Sequence, residues 1–381
     1  MTRVLVAGAG PVGLTAALAL ARRGVPVTVL EAGPDLAAES RASTFHPPSL
    51  EMLADLGVLD ALLERGLVSR TFQYRERRGG IIAELDLSVL AGDTPYPFRV
   101  QCEQSKLTPI LRDRLLAAGG EVRFGADVRS VLPHAGGVEI STADGERFRG
   151  GWLIGADGAG SAVRHALGVP FEGMTYPERF LVASTRTDVA ELLPGIAAVN
   201  YVFDPDEWLV MLRTPDHWRV LFPTPEGTGD GDELKRLPDR LRGVADTSWD
   251  VAHATLYRVH QRIAGTFRHG RVLLAGDAAH VNNPLGGMGM NSGIHDAVLM
   301  ADALAAVIEG GPDEALDAVA EARRETARTF VQRATHANWE RLRSGDPAEY
   351  HGELRKLAGD PVEARRYLLR SSMIASLRDV A

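Results

Sequence analysis

Residues 271–297 read RVLLAGDAAHVNNPLGGMGMNSGIHDA. The short apolar run Val272-Leu273-Leu274-Ala275 has the length and composition of a buried parallel strand. It breaks at Gly276-Asp277 and enters a loop containing Pro284, Gly286, Gly287 and Gly289. From Asn291, preceded by Met290, the pattern is helical as far as Ile308. A strand, a glycine loop and a helix start in succession make an anion site. The first N–H groups of the helix have no partner within it, and they lie at the positive end of its dipole. Glycines in that loop let backbone N–H groups approach a planar ligand closely. Asp277, at the strand's end, is placed to accept hydrogen bonds from polyol hydroxyls. A glycine-rich turn before a core helix gives the same pattern without a ligand, so companion motifs decide the reading.

Two companions exist. Arg3 to Ala7 is a buried strand, followed by Gly8-Ala9-Gly10-Pro11-Val12-Gly13, then an Ala/Leu-rich helix closed by Gly24. Gly8 makes the tight turn, Gly10 admits a pyrophosphate to the backbone, and Gly13 lets helix and strand pack closely. The next strand, Val27 to Leu30, ends at Glu31-Ala32, 23 residues after Gly8, near the spacing of a ribose-binding carboxylate. The second companion, Trp152 to Arg164 (WLIGADGAGSAVR), reads as strand, acidic turn and helix start. Asp157 there also suits a plain helix cap that needs no ligand.

Together these motifs resemble those of the FAD-dependent aromatic hydroxylases, the single-component flavoprotein monooxygenases of the p-hydroxybenzoate hydroxylase type. The resemblance spans most of the first 300 residues. It implies an α/β fold: a discontinuous Rossmann-like FAD-binding domain, a β-rich substrate domain and a C-terminal helical segment. It also implies cofactor contacts from Gly8, Gly10, Pro11, Val12, Gly13, Glu31 and Ala32, and from Asp157 in the motif associated with both FAD and the nicotinamide. In the loop they come from Gly276, Asp277, Pro284, Gly287, Gly289, Met290 and Asn291. Arg41, in the Arg-Ala pair after Ser40, matches an arginine that reaches the cofactor. Gln104 matches a glutamine at the ribityl chain, and Val128 a position whose backbone holds adenine. Read without the family, Arg41 and Gln104 are equally a solvated arginine and an exposed first-turn glutamine. Where the family often has glutamine, this loop carries Met288.

The activity implied is hydroxylation of a phenol-like or polycyclic small molecule. NADH or NADPH reduces FAD, and O₂ then delivers one oxygen atom through a flavin C4a-hydroperoxide. With no second GxGxxG, the nicotinamide is expected to bind transiently to the same body. The same scaffold carries halogenases and reductases, but Trp208 lacks the Trp-x-Trp partner of a halogenase and lysine is almost absent. A flavoprotein that sequesters an aromatic ligand without turnover is the remaining alternative. No acid–base pair stands out, so no catalytic residue is named, and no metal site is expected.

The motifs' spacing places the FAD domain at 1–72, 99–172 and 258–345, and the substrate domain at 73–98 and 173–257. A helical tail follows at 346–381, with breaks at Pro347 and Pro361. Strands are expected at Phe72-Gln73-Tyr74 and Ile81 to Leu87, and again at Phe180 to Thr187, Ala198 to Phe203, Trp208 to Arg213 and Trp218 to Phe222. Tyr201, Met211 and Arg213 are the candidates for a substrate-facing wall. Their grouping depends on strand register. Gly227 to Asp232 reads as a surface loop and Glu314 to Arg343 as one long amphipathic helix.

Composition narrows the alternatives. The 381 residues are 45% hydrophobic and 24% charged, enough for two domains. A net charge of −8 offers no basic face for nucleic acid. Of 42 basic residues only Lys106, Lys235 and Lys356 are lysine, which suggests a GC-rich bacterial source. A lone Cys102 excludes an internal disulfide and suits a reducing cytoplasm. VLVAGAG contains the nucleotide turn itself and lacks the long apolar core of a signal peptide. No stretch has the length of a membrane span. Oligomeric state and substrate identity stay open at this point.

Overall fold

The computed structural model describes residues 2–38, 42–343 and 347–378. Two compact units divide it: residues 1–65, 103–174 and 261–335 form the first, and 66–102, 175–260 and 336–381 the second.

The first unit is built on a six-stranded sheet in the order Arg268–His269, Val272–Leu274, Trp152–Gly155, Val4–Ala7, Val27–Glu31, Glu121–Phe124. Every neighbouring pair is parallel except the antiparallel edge strand Arg268–His269. Parallel strands covered on both faces need unbroken apolar runs, and VLVA, WLIG and VLL are each buried throughout. From Val4–Ala7 the chain crosses to Val27–Glu31 on one side, while Trp152–Gly155 pairs on the other. That reversal makes a switch point, and a crevice opens at the strands' carboxyl ends.

The helices Pro11–Arg22 and Gly289–Ile308 pack against each other. Glycine permits the approach: a Cβ on Gly293 would lie 2.5 Å from Val12 Cγ2, and one on Gly276 2.8 Å from the same atom. Val12 is thus a packing residue between the two cofactor motifs. An antiparallel three-stranded sheet, Val128–His134, Gly137–Thr142 and Arg147–Gly150, completes this unit. The continuous helix expected over 314–343 is two helices, Glu314–Thr326 and Gln332–Arg343, joined by a π-helical turn at Ala327–Val331.

The second unit holds strands Trp218–Pro223, Leu209–Arg213, Val199–Phe203, Thr71–Glu76 and Gly80–Asp86, side by side in that order. Val199–Phe203 runs parallel to Thr71–Glu76, and the other pairs are antiparallel. The helix Asp230–Arg242 covers one face, where Leu237 and Leu241 pack on Leu181, Val202, Leu209, Met211, Trp218 and Phe222. Its first turn carries Asp230, Asp232 and Glu233, which suit the positive end of its dipole. The loop expected up to Asp232 therefore ends early. Beyond residue 346, Pro347 and Pro361 open helices rather than break one, as the first helical position permits. Asp360 caps the second by accepting from Val362 N and Glu363 N.

This sheet corrects the grouping of Tyr201, Met211 and Arg213. Asn200 pairs with Met211, and Tyr201 with Val210. Directly opposed residues share a face and successive ones alternate. Met211 and Arg213 therefore lie on the face opposite Tyr201. Met211 is core beneath Asp230–Arg242, and the Arg213 guanidinium sits 5.9 Å from the Trp218 ring centroid. Tyr201 instead stacks on Tyr74 at 5.3 Å, in a cluster that includes Phe203 and Tyr350.

Candidate active site

At the switch point lies a cavity of about 380 Å³. Gly8, Gly10, Pro11, Glu31, Ala32, Gln104, Val128 and Asp157 all line it, so residues up to 149 positions apart in the chain meet there. Gly8 is left-handed at φ +99°, and a Cβ on it would lie 2.5 Å from the Ala156 carbonyl oxygen. No other residue fits that crossing of two strand ends. Gly13 touches Gly8 more closely still: its Cβ would fall 2.0 Å from the Gly8 oxygen. The helix Pro11–Arg22 starts without a side-chain cap, with Gly10 extended at its N-cap, so its first N–H groups are left to a ligand.

The Glu31 carboxylate braces this turn. Its Oε2 accepts from Ala9 N at 2.7 Å and its Oε1 from Gly33 N at 2.9 Å. A carboxylate offers about four acceptor positions, so two hydroxyls can still be bound. Asp157 is engaged locally: Oδ1 accepts from Ser161 Oγ at 2.6 Å and Oδ2 from Val163 N at 3.0 Å. These are the contacts of a plain helix start.

The second group surrounds the glycine loop. Asn291 is fully buried: its Oδ1 accepts from His46 N at 2.8 Å, and its Nδ2 donates to Thr44 O at 2.8 Å and Gly287 O at 2.6 Å. His46 Nε2 meets Gly286 O at 2.8 Å. Asn291 therefore shapes the loop from beneath. Gly286 and Gly287 carry positive φ, +107° and +65°, whereas Gly289 does not. Pro284 O closes a turn with Gly287 N at 3.0 Å. Met288 is buried at 2% exposure, so the residue replacing the family's frequent glutamine packs inward. Met290 and Gly289 are half-buried in the first helical turn, and Asp277 is exposed on the turn Gly276–Ala278. None of Val12, Gly13, Gly276, Asp277, Pro284, Gly287, Gly289, Met290 or Asn291 lines the 380 Å³ cavity. Arg41 lies outside the described residues.

These residues fit a dinucleotide such as FAD. Gly8 leaves no room for a side chain, the helix start is uncapped, and Glu31 retains acceptor capacity. Thr108, which the sequence reading missed, supplies a further indication. It lies one turn after Gln104 on the helix Gln104–Ala117 and lines the cavity, yet its buried Oγ1 finds no hydrogen-bond partner among the described residues. Ala126, Asp127 and Arg129 also line the cavity and were missed. Their adjacency to Val128 was the available signal.

Comparison with known proteins agrees with this geometry. A family model described as "FAD binding domain" matches residues 1–334. Para-nitrophenol 4-monooxygenase of Pseudomonas sp. (strain WBC-3) is 36% identical over 91% of this chain and 88% of its own length. The crystal structure of p-nitrophenol 4-monooxygenase from Pseudomonas putida DLL-E4 superposes with a TM-score of 0.93 at 33% identity, covering 100% of both chains. Aklavinone-11 hydroxylase, solved as a ternary complex with FAD and aklavinone, gives 0.81 at 30% identity over 91% of this chain and 70% of that one. These relatives support an oxygenase, not the halogenase, reductase or sequestering alternatives. The chain belongs to the family of FAD-dependent aromatic monooxygenases, enzymes that use FAD and, typically, NAD(P)H.

Proposed function

We propose that this enzyme hydroxylates a small, single-ring phenol. The observation that carries this reading is the full-length likeness to p-nitrophenol 4-monooxygenase, matched end to end at a TM-score of 0.93. Bound FAD would supply the redox chemistry, in which two electrons from NAD(P)H and one O₂ give the hydroxylated ring, NAD(P)⁺ and one water. The residues do the rest. The Gly8–Gly13 turn and the uncapped helix hold the pyrophosphate, Glu31 takes ribose hydroxyls, and Ala126 to Val128 flank adenine. Asp277 accepts from the ribityl chain. The loop Pro284 to Asn291 directs backbone N–H groups and a helix dipole at the ring. That field favours the more negative, reduced form. Tyr201, rather than Met211 or Arg213, is the substrate-side candidate, because Met211 is committed to the core. The sequence's single cysteine, Cys102, suits a reducing cytoplasmic setting, which belongs to the same proposal.

The test is NAD(P)H oxidation by the FAD-loaded enzyme with a panel of single-ring phenols and polycyclic aromatics, followed by mass analysis. Stimulation by single-ring phenols, with gain of one oxygen atom in the product, is the expected result. Turnover of polycyclic substrates alone would overturn the substrate class. FAD binding with no reductant consumption on any of them would overturn the oxygenase reading.

A further inference from the structure

Two buried charged side chains, neither on the cavity wall, grip the turn Gly276–Ala278 from opposite ends. Asp296, 0% exposed on the helix Gly289–Ile308, accepts from Gly276 N at 3.2 Å through Oδ2. The same oxygen meets His280 Nε2 at 2.8 Å, and Oδ1 accepts from Arg323 Nε at 2.7 Å. Arg323 also donates to Ser292 Oγ at 3.2 Å, which fixes it against the same helix. At the other end Arg164, 2% exposed, donates from NH1 to Ala278 O at 2.8 Å and from NH2 to Ala159 O at 2.8 Å. Its guanidinium lies over the Phe171 ring at 3.8 Å.

The residue between the two grips is Asp277. Gly276 is left-handed at φ +58°, and Val12 presses on it at the distance given above. A turn held at its first N–H and its last C=O, with its α-carbon blocked on one side, has few ways left to rotate. We propose that Asp296 and Arg164 are positioning residues. They clamp the turn so that the Asp277 carboxylate faces the cofactor's polyol chain, and Arg164 ties that turn to the Asp157–Ser161 loop. Neither touches the cofactor. The inference rests on the reading of Asp277 as a cofactor ligand. The chemistry of the grip requires a charged carboxylate. Burial alone would raise the pKa of Asp296, but Arg323 and His280 outweigh it and hold that pKa well below the usual range. Asparagine has the same shape but only one acceptor oxygen. It would therefore set an amide N–H against either Arg323 or Gly276.

A double-mutant cycle on FAD binding tests this. The apo-proteins of Asp277→Asn, Asp296→Asn and the double variant are titrated with FAD by fluorescence quenching. Each single change is expected to weaken binding by about tenfold, and the double change by no more than about twofold beyond the worse single, because both act through one carboxylate. A purely structural Asp296 gives multiplicative losses, about a hundredfold for the double, and overturns the clamp alone. If Asp277→Asn binds FAD as the parent does, the ligand reading fails and the clamp with it. Should Asp296→Asn not fold, Arg164→Lys takes its place in the same cycle: it keeps the charge but not the fork that bridges Ala159 O and Ala278 O. Near-identical losses for Asp277→Asn alone and paired with Arg164→Lys are then expected, and multiplicative ones refute the proposal.

Discussion

His295 makes the first unit acid-sensitive in a window that can be calculated. It is 0% exposed, with Nε2 at 3.1 Å from Ser49 Oγ and Nδ1 without a partner among the described residues. Burial, followed by repulsion from Arg323, outweighs the attraction of Asp296 and lowers its pKa to about 3. The folded protein therefore keeps this imidazole neutral, while the unfolded chain protonates it near its ordinary value of about 6.5. Since the folded pKa is the depressed one, the stability is fully present above pH ~6.5 and is lost as pH falls from there toward 3. One proton bound only by the unfolded state corresponds to about 1.4 kcal/mol per pH unit, so going from pH 7.5 to 5.0 costs about 2 kcal/mol. Any folded value below about 4 gives the same figure, because the unfolded state alone titrates in that interval. Guanidinium unfolding of the apo-protein at both pH values, for the parent and for His295→Gln, reads this directly. Other titrating groups cancel in the comparison. The parent should lose about 2 kcal/mol more than the variant, and equal losses would refute a buried neutral His295.

Two glycine predictions follow from the cofactor turns. Gly8→Ala, at φ +99° with its Cβ 2.5 Å from a backbone oxygen, should cost at least about 2 kcal/mol and abolish FAD binding. A parent-like melt and FAD titration would show that the strand ends can part. In the loop, Gly287→Ala meets both a φ of +65° and Thr44 Cβ at 3.0 Å, whereas Gly289→Ala meets only Asn282 Oδ1 at 3.2 Å, without positive φ. Gly287→Ala should therefore weaken FAD binding by about tenfold or more and Gly289→Ala far less, on the scale of ~1–2 kcal/mol for a left-handed residue. The reverse order in an FAD titration would move the close approach to Gly289.

The parts that were legible in the sequence are those where local chemistry and fold demand the same residue. Gly8 and Glu31 announce themselves because a positive φ, a strand crossing and a carboxylate at the next strand's end each admit few residue types. The apolar runs at Val4, Trp152 and Val272 announce a covered parallel sheet for a similar reason. The helix Asp230–Arg242 stayed hidden because its apolar positions are few and Pro238 lies within it. The Tyr201 and Met211 grouping failed because a face is decided by pairing between strands, which neither strand states alone. Asp157 is legible as a motif, but its two hydrogen bonds are those of an ordinary cap. The grip of Asp296 and Arg164 on one turn joins residues more than 130 positions apart, and no spacing rule connects them.

The strand order of the first unit also sets a timetable. Val4–Ala7 emerges first from the ribosome, yet one of its two neighbours, Trp152–Gly155, comes nearly 150 residues later, and that strand's own far partner, Val272–Leu274, later still. At ordinary synthesis rates the interval from first strand to last is on the order of ten to fifty seconds. From its own synthesis until Val272–Leu274 follows, roughly six to twenty-three seconds at those rates, the outer apolar edge of Trp152–Gly155 lacks its partner, a condition that favours association between nascent chains. Production of this enzyme should therefore depend on a chaperone that shields that edge. Lower temperature during expression should raise the folded yield more than it raises the total made.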